Sequence, residues 1–344
     1  MALTELIARA IAEGGQNLHI TKDREVKARI SGLFADMGSI LEDDFTAFLG
    51  GVLDDRNRAE LNKVGSTTAM MTVDGVLVRV HVYYSAAKEV AALRFHRDEV
   101  LSPEQLGIPP DIVNLTDAQS GWVLLSGPQG SGKTTTLAAL AKYMADNASL
   151  PRHIVTVERP VEIRIPSGAG LVTHIEIPRD APTLPAAMRS LLRLDAQAGL
   201  LGELRMEPEV ASAFVDLVDA GMLVFANTHG DDPVRAIDRL LDTLPTEDRE
   251  RGRRIIAHGM VASVGLRLVR DRDDKLVLIT SVLHGSPATT AAIVEGTVSQ
   301  LYSMLDAKPN RTFEQALVPL VPTRISPETA ERALRSTDPG RGTR

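Results

Sequence analysis

Apolar residues recur with two different periods in the first hundred residues, which predicts a small α+β domain. Leu3, Leu6, Ile7 and Ala10 are spaced as on one face of a helix, which the glycines at 14 and 15 would end. Further helices are expected at 43–53 and 56–63. Strands are expected at 17–20, 26–30, 68–73, 76–84 and 88–95. Asp-Gly at 74–75 suits a two-residue hairpin turn between the third and fourth of these strands.

The pattern of apolar residues changes after residue 100. Residues 101–110, LSPEQLGIPP, contain three prolines and are the best linker candidate. Beyond them, short apolar runs at 122–125, 154–157, 199–202 and 223–226 alternate with helical stretches, as buried parallel strands of an α/β sheet do. The last twenty residues are polar and rich in breakers. We therefore predict domains at 1–100 and 111–330, a linker at 101–110 and a tail at 331–344.

One segment matches the phosphate-binding loop of nucleotide-binding proteins. It follows a strand-like run, WVLLS, and precedes a helical run, so its context is the one that the motif requires. Its backbone N–H groups would cradle phosphates, the lysine would reach the β- and γ-phosphates, and the threonine hydroxyl would bind Mg²⁺. The sequence thus predicts a site for ATP with Mg²⁺. The candidate binding residues are Gly127, Pro128, Gln129, Gly130, Ser131, Gly132, Lys133, Thr134 and Thr135.

Polar residues end three of the predicted strands. Glu158 and Glu203 directly follow two of them, and a third leads through Asn227 and Thr228 to His229. The carboxyl ends of parallel strands meet at one edge of a sheet, where ligands bind. Hydrolysis needs an acidic group for Mg²⁺ and a group that orients water. A strand-ending acid can also simply cap the next helix, but three such residues beside a phosphate-binding loop favour a catalytic site.

Four consecutive segments resemble the secretion traffic ATPases of type II and type IV systems, above all the PilT-like pilus-retraction ATPases. GPQGSGKTTTLAALAKYM resembles their Walker A segment, IVTVERPVE their Asp box, MRSLLRLDAQAGLLGELR their Walker B segment and GMLVFANTHGDDPVRAIDRLLDTLP their His box. The resemblance implies a PAS-like N-terminal α+β domain, a RecA-like α/β P-loop domain and a homohexamer. It also implies a cytoplasmic motor that acts at the inner-membrane platform protein of a pilus or secretion machine.

The same resemblance implies roles for individual residues. Glu158 matches the Asp-box glutamate that polarises the attacking water, and Glu203 matches the Walker B glutamate, a metal-site residue together with Thr134. His229 matches the His-box residue that couples the nucleotide site to its surroundings. Arg79 and Arg94 resemble arginines that reach the phosphates when the domains close. For these two, alternating strand residues that face solvent are the plain alternative.

Departures from the family pattern keep other functions open. Arg159 replaces an acid beside Glu158, Met206 replaces an acid after Glu203, and residues 288–295, ATTAAIVE, lack the arginines of the retraction-associated segment. These changes favour a secretion or conjugation ATPase as much as a pilus motor, and they motivate an alternative, a nucleotide-binding regulator with little hydrolysis. A RecA-like nucleic-acid translocase is a further alternative.

Composition narrows these classes. The 344 residues carry a net charge of −7 and only 3% aromatic residues, which disfavours nucleic-acid binding. The absence of cysteine excludes thiolate zinc sites, including the tetracysteine module of type II assembly ATPases. The uncharged run at 276–294 has His-Gly-Ser-Pro at its centre and is not expected to span a membrane. We predict a cytoplasmic protein that associates with the inner membrane only through partners.

Overall fold

A computed structural model describes residues 3–30, 33–96 and 100–335. The chain divides into two compact units. The first comprises Met1–Glu99 and Pro160–Arg164, and the second comprises Val100–Arg159 and Ile165–Arg344. The first division falls next to the predicted linker, whereas the assignment of Pro160–Arg164 to the first unit has no signal in the sequence.

The first unit combines three helices with an antiparallel sheet of six strands in its described residues. The strand order is β3-β2-β1-β6-β5-β4, and all neighbours are antiparallel. In chain order the elements are α1 (Leu3–Ala12), β1 (Gly15–Ile20), β2 (Glu25–Ile30), β3 (Leu33–Ser39), α2 (Glu42–Val52), α3 (Asp55–Val64), β4 (Ser66–Val73), β5 (Val76–Ser85) and β6 (Lys88–His96).

Local signals in the sequence fix several of these boundaries. Asp54 and Asn57 form a reciprocal capping box that starts α3, and Gly65, at φ 86°, ends it in the left-handed conformation. Asp74 and Gly75 both have positive φ, as the predicted two-residue hairpin turn requires. The inward faces of the helices and strands share one apolar core.

The second unit is an α/β domain built on a seven-stranded sheet in its described part. The strand order is β13-β12-β7-β11-β10-β8-β9, and every pair is parallel except β12 with β13. Its elements are α4 (Pro110–Val113), β7 (Gly121–Ser126), α5 (Lys133–Asp146), β8 (His153–Glu158), β9 (Leu171–Glu176), α6 (Leu184–Leu191), β10 (Ala198–Leu201), α7 (Pro208–Asp219), β11 (Leu223–Thr228), α8 (Pro233–Thr243), α9 (Arg249–His258), β12 (Met260–Arg270), β13 (Leu276–His284), α10 (Pro287–Glu295), α11 (Leu301–Leu305), α12 (Phe313–Leu317) and α13 (Pro327–Arg335).

The central strands β7, β8, β10 and β11 are almost completely buried, because helices cover both faces of the sheet. Trp122 anchors this core. Its indole Nε1 donates to the Ile256 carbonyl at 2.7 Å, and its ring meets Phe214 edge-on. The predicted fold class, a small α+β domain followed by a P-loop α/β domain, is therefore confirmed.

The predicted tail at 331–344 is wrong for its first five residues. Helix α13 extends to Arg335, and Ala330, Ala333 and Leu334 pack with β12, β13 and α12 in a separate small core. These apolar residues recur every three to four positions, a helical period that the flanking polar residues obscure. The remainder of the predicted tail, 336–344, lies outside the described residues.

The uncharged run at 276–294 forms β13 and most of α10. In the described ranges, none of the helices has both the length and the apolar character that crossing a bilayer requires.

Candidate nucleotide-binding site

The loop between β7 and α5 has a backbone that only glycine allows at its critical positions. Gly127, Gly130 and Gly132 have φ values of 154°, 78° and 93°. At Gly127 a Cβ would lie 2.5 Å from both the Leu266 carbonyl oxygen and Ser131 Oγ. The tight loop therefore depends on these glycines, and it presents a row of backbone N–H groups at the start of α5.

Lys133 lies at the first position of α5, and its ammonium folds back over the loop. Its Nζ donates to the Gly127 carbonyl at 2.7 Å and to the Pro128 carbonyl at 2.8 Å. Burial lowers the pKa of Lys133, and the nearby charge of Glu203 opposes that change. The positive charge is thus held at the loop, where an incoming phosphate would replace carbonyl oxygens as its partner.

The residues around Lys133 fit a triphosphate. Ser131 Oγ is buried and finds no hydrogen-bond partner among the described residues. Thr134 is partly buried and Thr135 is exposed in the first turn of α5, while Gln129 and Gly130 are exposed at the loop tip. A buried hydroxyl without a partner next to a row of backbone donors is a fit for phosphate oxygens, which accept hydrogen bonds from both.

Glu158 ends β8 and lies against the end of β10. The register pairs Val157 with Leu201, so Gly202 follows at the level of Glu158. A Cβ at Gly202 would be 2.8 Å from Glu158 Cγ. The absence of a side chain at Gly202 therefore makes room for the Glu158 side chain at the carboxyl edge of the sheet.

Glu203 and His229 come together at this edge, as the pattern of strand ends predicts. His229 Nε2 lies 3.3 Å from Glu203 Oε1, and Arg205 Nε lies 3.7 Å from Glu203 Oε2. Both Glu203 and His229 are about half exposed, so their side chains are accessible to a ligand. Arg239 fixes the His229 backbone by donating to its carbonyl at 2.7 Å.

The described residues contain no group of three His, Asp or Glu side chains that could enclose a metal ion. A site with few protein ligands is what Mg²⁺ uses beside phosphates, since it keeps several waters. Thr134 and Glu203, the two predicted metal-site residues, carry oxygen donors of the kind that Mg²⁺ prefers.

The structure places Arg79 and Arg94 side by side in the first unit. They are directly paired across β5 and β6, so their side chains share one face of that sheet. Arg79 donates to Glu162 at 2.5 Å within the same unit, and about a quarter of each side chain is exposed. Arg94 is exposed. The carboxylate of Glu162 thus offsets the repulsion between two facing guanidinium groups.

One buried arginine behind the His229 loop was missed in the sequence. Arg267, on β12, stacks over the Phe313 ring at 4.3 Å and donates to the carbonyls of Asp231 and Ala333. Burial lowers its pKa, and Asp231 and Asp232 oppose that change. The sequence could have indicated this residue, because Arg267 is the one charged residue in the apolar run VGLRLV and a charge in a buried strand requires polar partners.

Asp232 is a second residue of this loop that the sequence did not single out. Its carboxylate accepts from the N–H groups of Val234 and Arg235 and so caps α8. Tyr302 donates to the same carboxylate at 3.3 Å, and burial, followed by the charge of Asp232, raises the pKa of Tyr302 to about 12.

A family model, relatives and a solved structure are similar to this chain. The family model for "Type II/IV secretion system protein" matches residues 62–286. The chain is 29% identical over 308 residues to the type IV pilus retraction ATPase PilT of Pseudomonas aeruginosa, covering 89% of each chain. It is 31% identical over 265 residues to a twitching motility protein of Neisseria gonorrhoeae, covering 76% of this chain and 70% of the relative. The crystal structure of the pilus retraction motor PilT with bound ADP superposes with a TM-score of 0.88 at 27% identity, covering 97% of each chain.

Proposed function

The chain belongs to the type II/IV secretion system protein family and is an ATPase of the PilT-like type, and we propose that it works as a hexameric motor. The motor would convert ATP turnover into domain motion at the inner-membrane platform of a type IV pilus or a type IV secretion or conjugation system. The observation that carries the proposal is the loop of Gly127–Thr134 with the Lys133 ammonium held over it. We place the protein in the cytoplasm, at the inner membrane through its partners.

In the proposed mechanism the triphosphate lies along the N–H groups of the loop, and Lys133 neutralises the β- and γ-phosphates. Thr134 and Glu203 would hold Mg²⁺, which when bound offsets the phosphate charge. Glu158 orients a water molecule toward the γ-phosphorus. The water oxygen bonds to that phosphorus as the bond to the bridging oxygen of ADP breaks, and the released proton passes to the Glu158 carboxylate.

His229 and the two arginines would connect this chemistry to movement. His229 contacts Glu203 directly and begins the loop that leads into α8, so a change at Glu203 reaches that helix through one side chain. Arg79 and Arg94 would add positive charge to the phosphates when the domains close. Product release would then allow the domains to separate again.

A second candidate is a nucleotide-binding regulator that hydrolyses ATP slowly. Arg159, next to Glu158, is exposed, and Met206 packs against the apolar core of the second unit, so neither supplies an acid to the site. The regulator would share the nucleotide site and lack rapid turnover. Phosphate release by the purified protein distinguishes the two functions.

The test compares Lys133→Ala, Glu158→Ala and a control, Lys142→Ala. Lys142 lies on the same helix and, among the described residues, its ion pair is with Asp146, four residues on, a contact that contributes little to stability. We expect Lys133→Ala to lose nucleotide binding and Glu158→Ala to bind ADP without turnover, while the control keeps both. Wild-type hydrolysis by Glu158→Ala would refute the assigned role, and a solution mass of a monomer with ATP bound would refute the hexamer.

A further inference from the structure

Asn227 lies on β11, the strand between β7, which leads into the phosphate-binding loop, and β10, which leads to Glu203. One polar atom of its side chain makes no hydrogen bond within the described part of the protein. We propose that Asn227 binds the attacking water together with Glu158, an inference that rests on the proposed ATPase function. Its side chain is buried, with a relative exposure of 2% for the residue. Its Oδ1 finds no hydrogen-bond partner among the described residues.

Three adjacent strands bring Glu158, Gly202 and Asn227 into one row. Leu201 pairs with Val157 on one side and with Ala226 on the other, so the next residue of each strand lies at the same level. Because Gly202 has no side chain, the Glu158 side chain lies over it, on the side of Asn227, and its Cγ would be 2.8 Å from a Cβ at Gly202. Neighbouring strands are about 4.8 Å apart, so the two outer residues of the row are separated by about 10 Å along the sheet edge, a span that two inclined side chains and a water can bridge.

The row faces the helix that carries Lys133. Leu124, Val157, Leu201 and Ala226 all belong to the core under α6–α10. Side chains alternate along a strand, so the residues that follow Val157, Leu201 and Ala226 point to the opposite face. Helix α5 packs against β7, β8 and β11, and its buried residues lie outside the core under α6–α10 among the described residues. Glu158 and Asn227 therefore project on the side of the phosphates.

Asn227 is held rigidly by the segment that contains Glu203. Its Nδ2 donates to the Gly202 carbonyl at 3.2 Å, and its own carbonyl accepts from the Leu204 N–H at 2.6 Å. The first bond fixes the orientation of the amide, because the flipped amide would place two oxygens against each other. Oδ1 is therefore the side-chain atom without a hydrogen-bond partner among the described residues. Asn227 also forms hydrogen bonds with the backbone of the residues before and after Glu203, Gly202 and Leu204.

A buried acceptor without a partner costs stability, on the order of 1–3 kcal/mol, unless a water or ligand donates to it. An attacking water can donate one hydrogen bond to Asn227 Oδ1 and another to the Glu158 carboxylate, leaving an oxygen lone pair for the γ-phosphorus. Asn227 stays neutral throughout, and the proton released on attack passes to Glu158. Two fixed acceptors would define the position of the water, whereas Glu158 alone would let it rotate.

The experiment compares two variants of the same shape, Asn227→Thr and Asn227→Val, which differ only in a hydroxyl group. We expect Asn227→Val to lower kcat by up to about 100-fold with ADP affinity at the wild-type value. Asn227→Thr, whose hydroxyl oxygen can still accept a hydrogen bond from the water, should turn over ATP at least about ten times faster than Asn227→Val. If Asn227→Val does not fold, judged by the fluorescence of Trp122, the pair Asn227→Ser and Asn227→Ala makes the same comparison.

Equal kcat values for the threonine and valine variants would overturn the inference, since a hydroxyl acceptor would then add nothing to the reaction. A parallel loss of ADP affinity and kcat would also overturn it, because that pattern indicates a deformed loop. Failure of the proposed function looks different. In that case any phosphate release by the wild-type protein would be at background level and would not change in Lys133→Ala.

Discussion

The contact between Glu158 and Gly202 gives the sharpest test of the candidate site. The substitution Gly202→Ala places a Cβ 2.8 Å from Glu158 Cγ. Ordinary contact begins near 3.4 Å, so the two atoms must separate by about 0.6 Å. Cγ lies near the base of the side chain, and the available relief is a rotation of χ1 into another staggered position, which moves the carboxylate away from Gly202 and Asn227.

A catalytic group displaced by about 1 Å can cost about 100-fold in rate, or about 2.7 kcal/mol of transition-state stabilisation. We therefore expect Gly202→Ala to reduce kcat by about that factor. ADP affinity should not change, because Gly127–Thr134 are untouched. Steady-state phosphate release measures kcat, and titration with a fluorescent ADP analogue measures affinity.

Gly230→Ala is the matched control. Gly230 follows His229, and a Cβ there would meet its nearest neighbours, atoms of Ala236, at 3.7 Å, which is ordinary contact. The control should keep wild-type kcat and affinity. Wild-type kcat in Gly202→Ala would refute the assignment of the water-orienting role to Glu158. Equal loss in both variants would contradict the role of the Glu158 contact, since the methyl group at Gly230 meets only ordinary contacts.

Three further predictions concern stability. Trp122→Phe leaves the buried Ile256 carbonyl without its donor and should lower the free energy of unfolding by about 3 kcal/mol, measured by circular dichroism in urea; an unchanged midpoint would contradict it. A double-mutant cycle on Arg79 and Glu162 should give a coupling energy of about 1 kcal/mol that decreases in high salt, and zero coupling at low salt would contradict the ion pair. Burial, followed by the charge of Arg79, lowers the pKa of His81 below its ordinary value in the folded protein. As the pH falls, His81 therefore takes up its proton in the unfolded state before it does so in the folded state. The free energy of unfolding should consequently decrease as the pH drops below about 6.5. Thermal unfolding should show a weaker dependence in His81→Gln, and an identical pH profile would refute this assignment.

Features encoded within a few consecutive residues were predictable from the sequence. The loop of Gly127–Thr134 is such a feature, since its spacing, its preceding strand and its following helix are all contiguous. The Asp74-Gly75 hairpin is another. Both rest on backbone conformations that few residue types adopt, so the residue types themselves carry the information.

Features that depend on pairing between distant segments were not predictable. Arg79 and Glu162 are 83 positions apart, and nothing near either residue identifies the other. The start of the tail was misplaced at 331 because the small apolar residues of α13 acquire their meaning only from the core that they contact. The row of Glu158, Gly202 and Asn227 likewise depends on the register of three strands, which apolar runs alone do not determine.

Two glycines at strand ends make room for two different parts of the proposed reaction. Gly127 follows β7 and allows the loop to close on phosphates, and Gly202 follows β10 and leaves space beside Glu158. The strand between them, β11, carries Asn227. Both glycines lie in segments that resemble family motifs, but only at Gly127 does the spacing of the motif itself explain why a glycine is needed. The need for a glycine at 202 follows from its neighbours in the sheet: a side chain there would displace Glu158, which lies over this position on the side of Asn227.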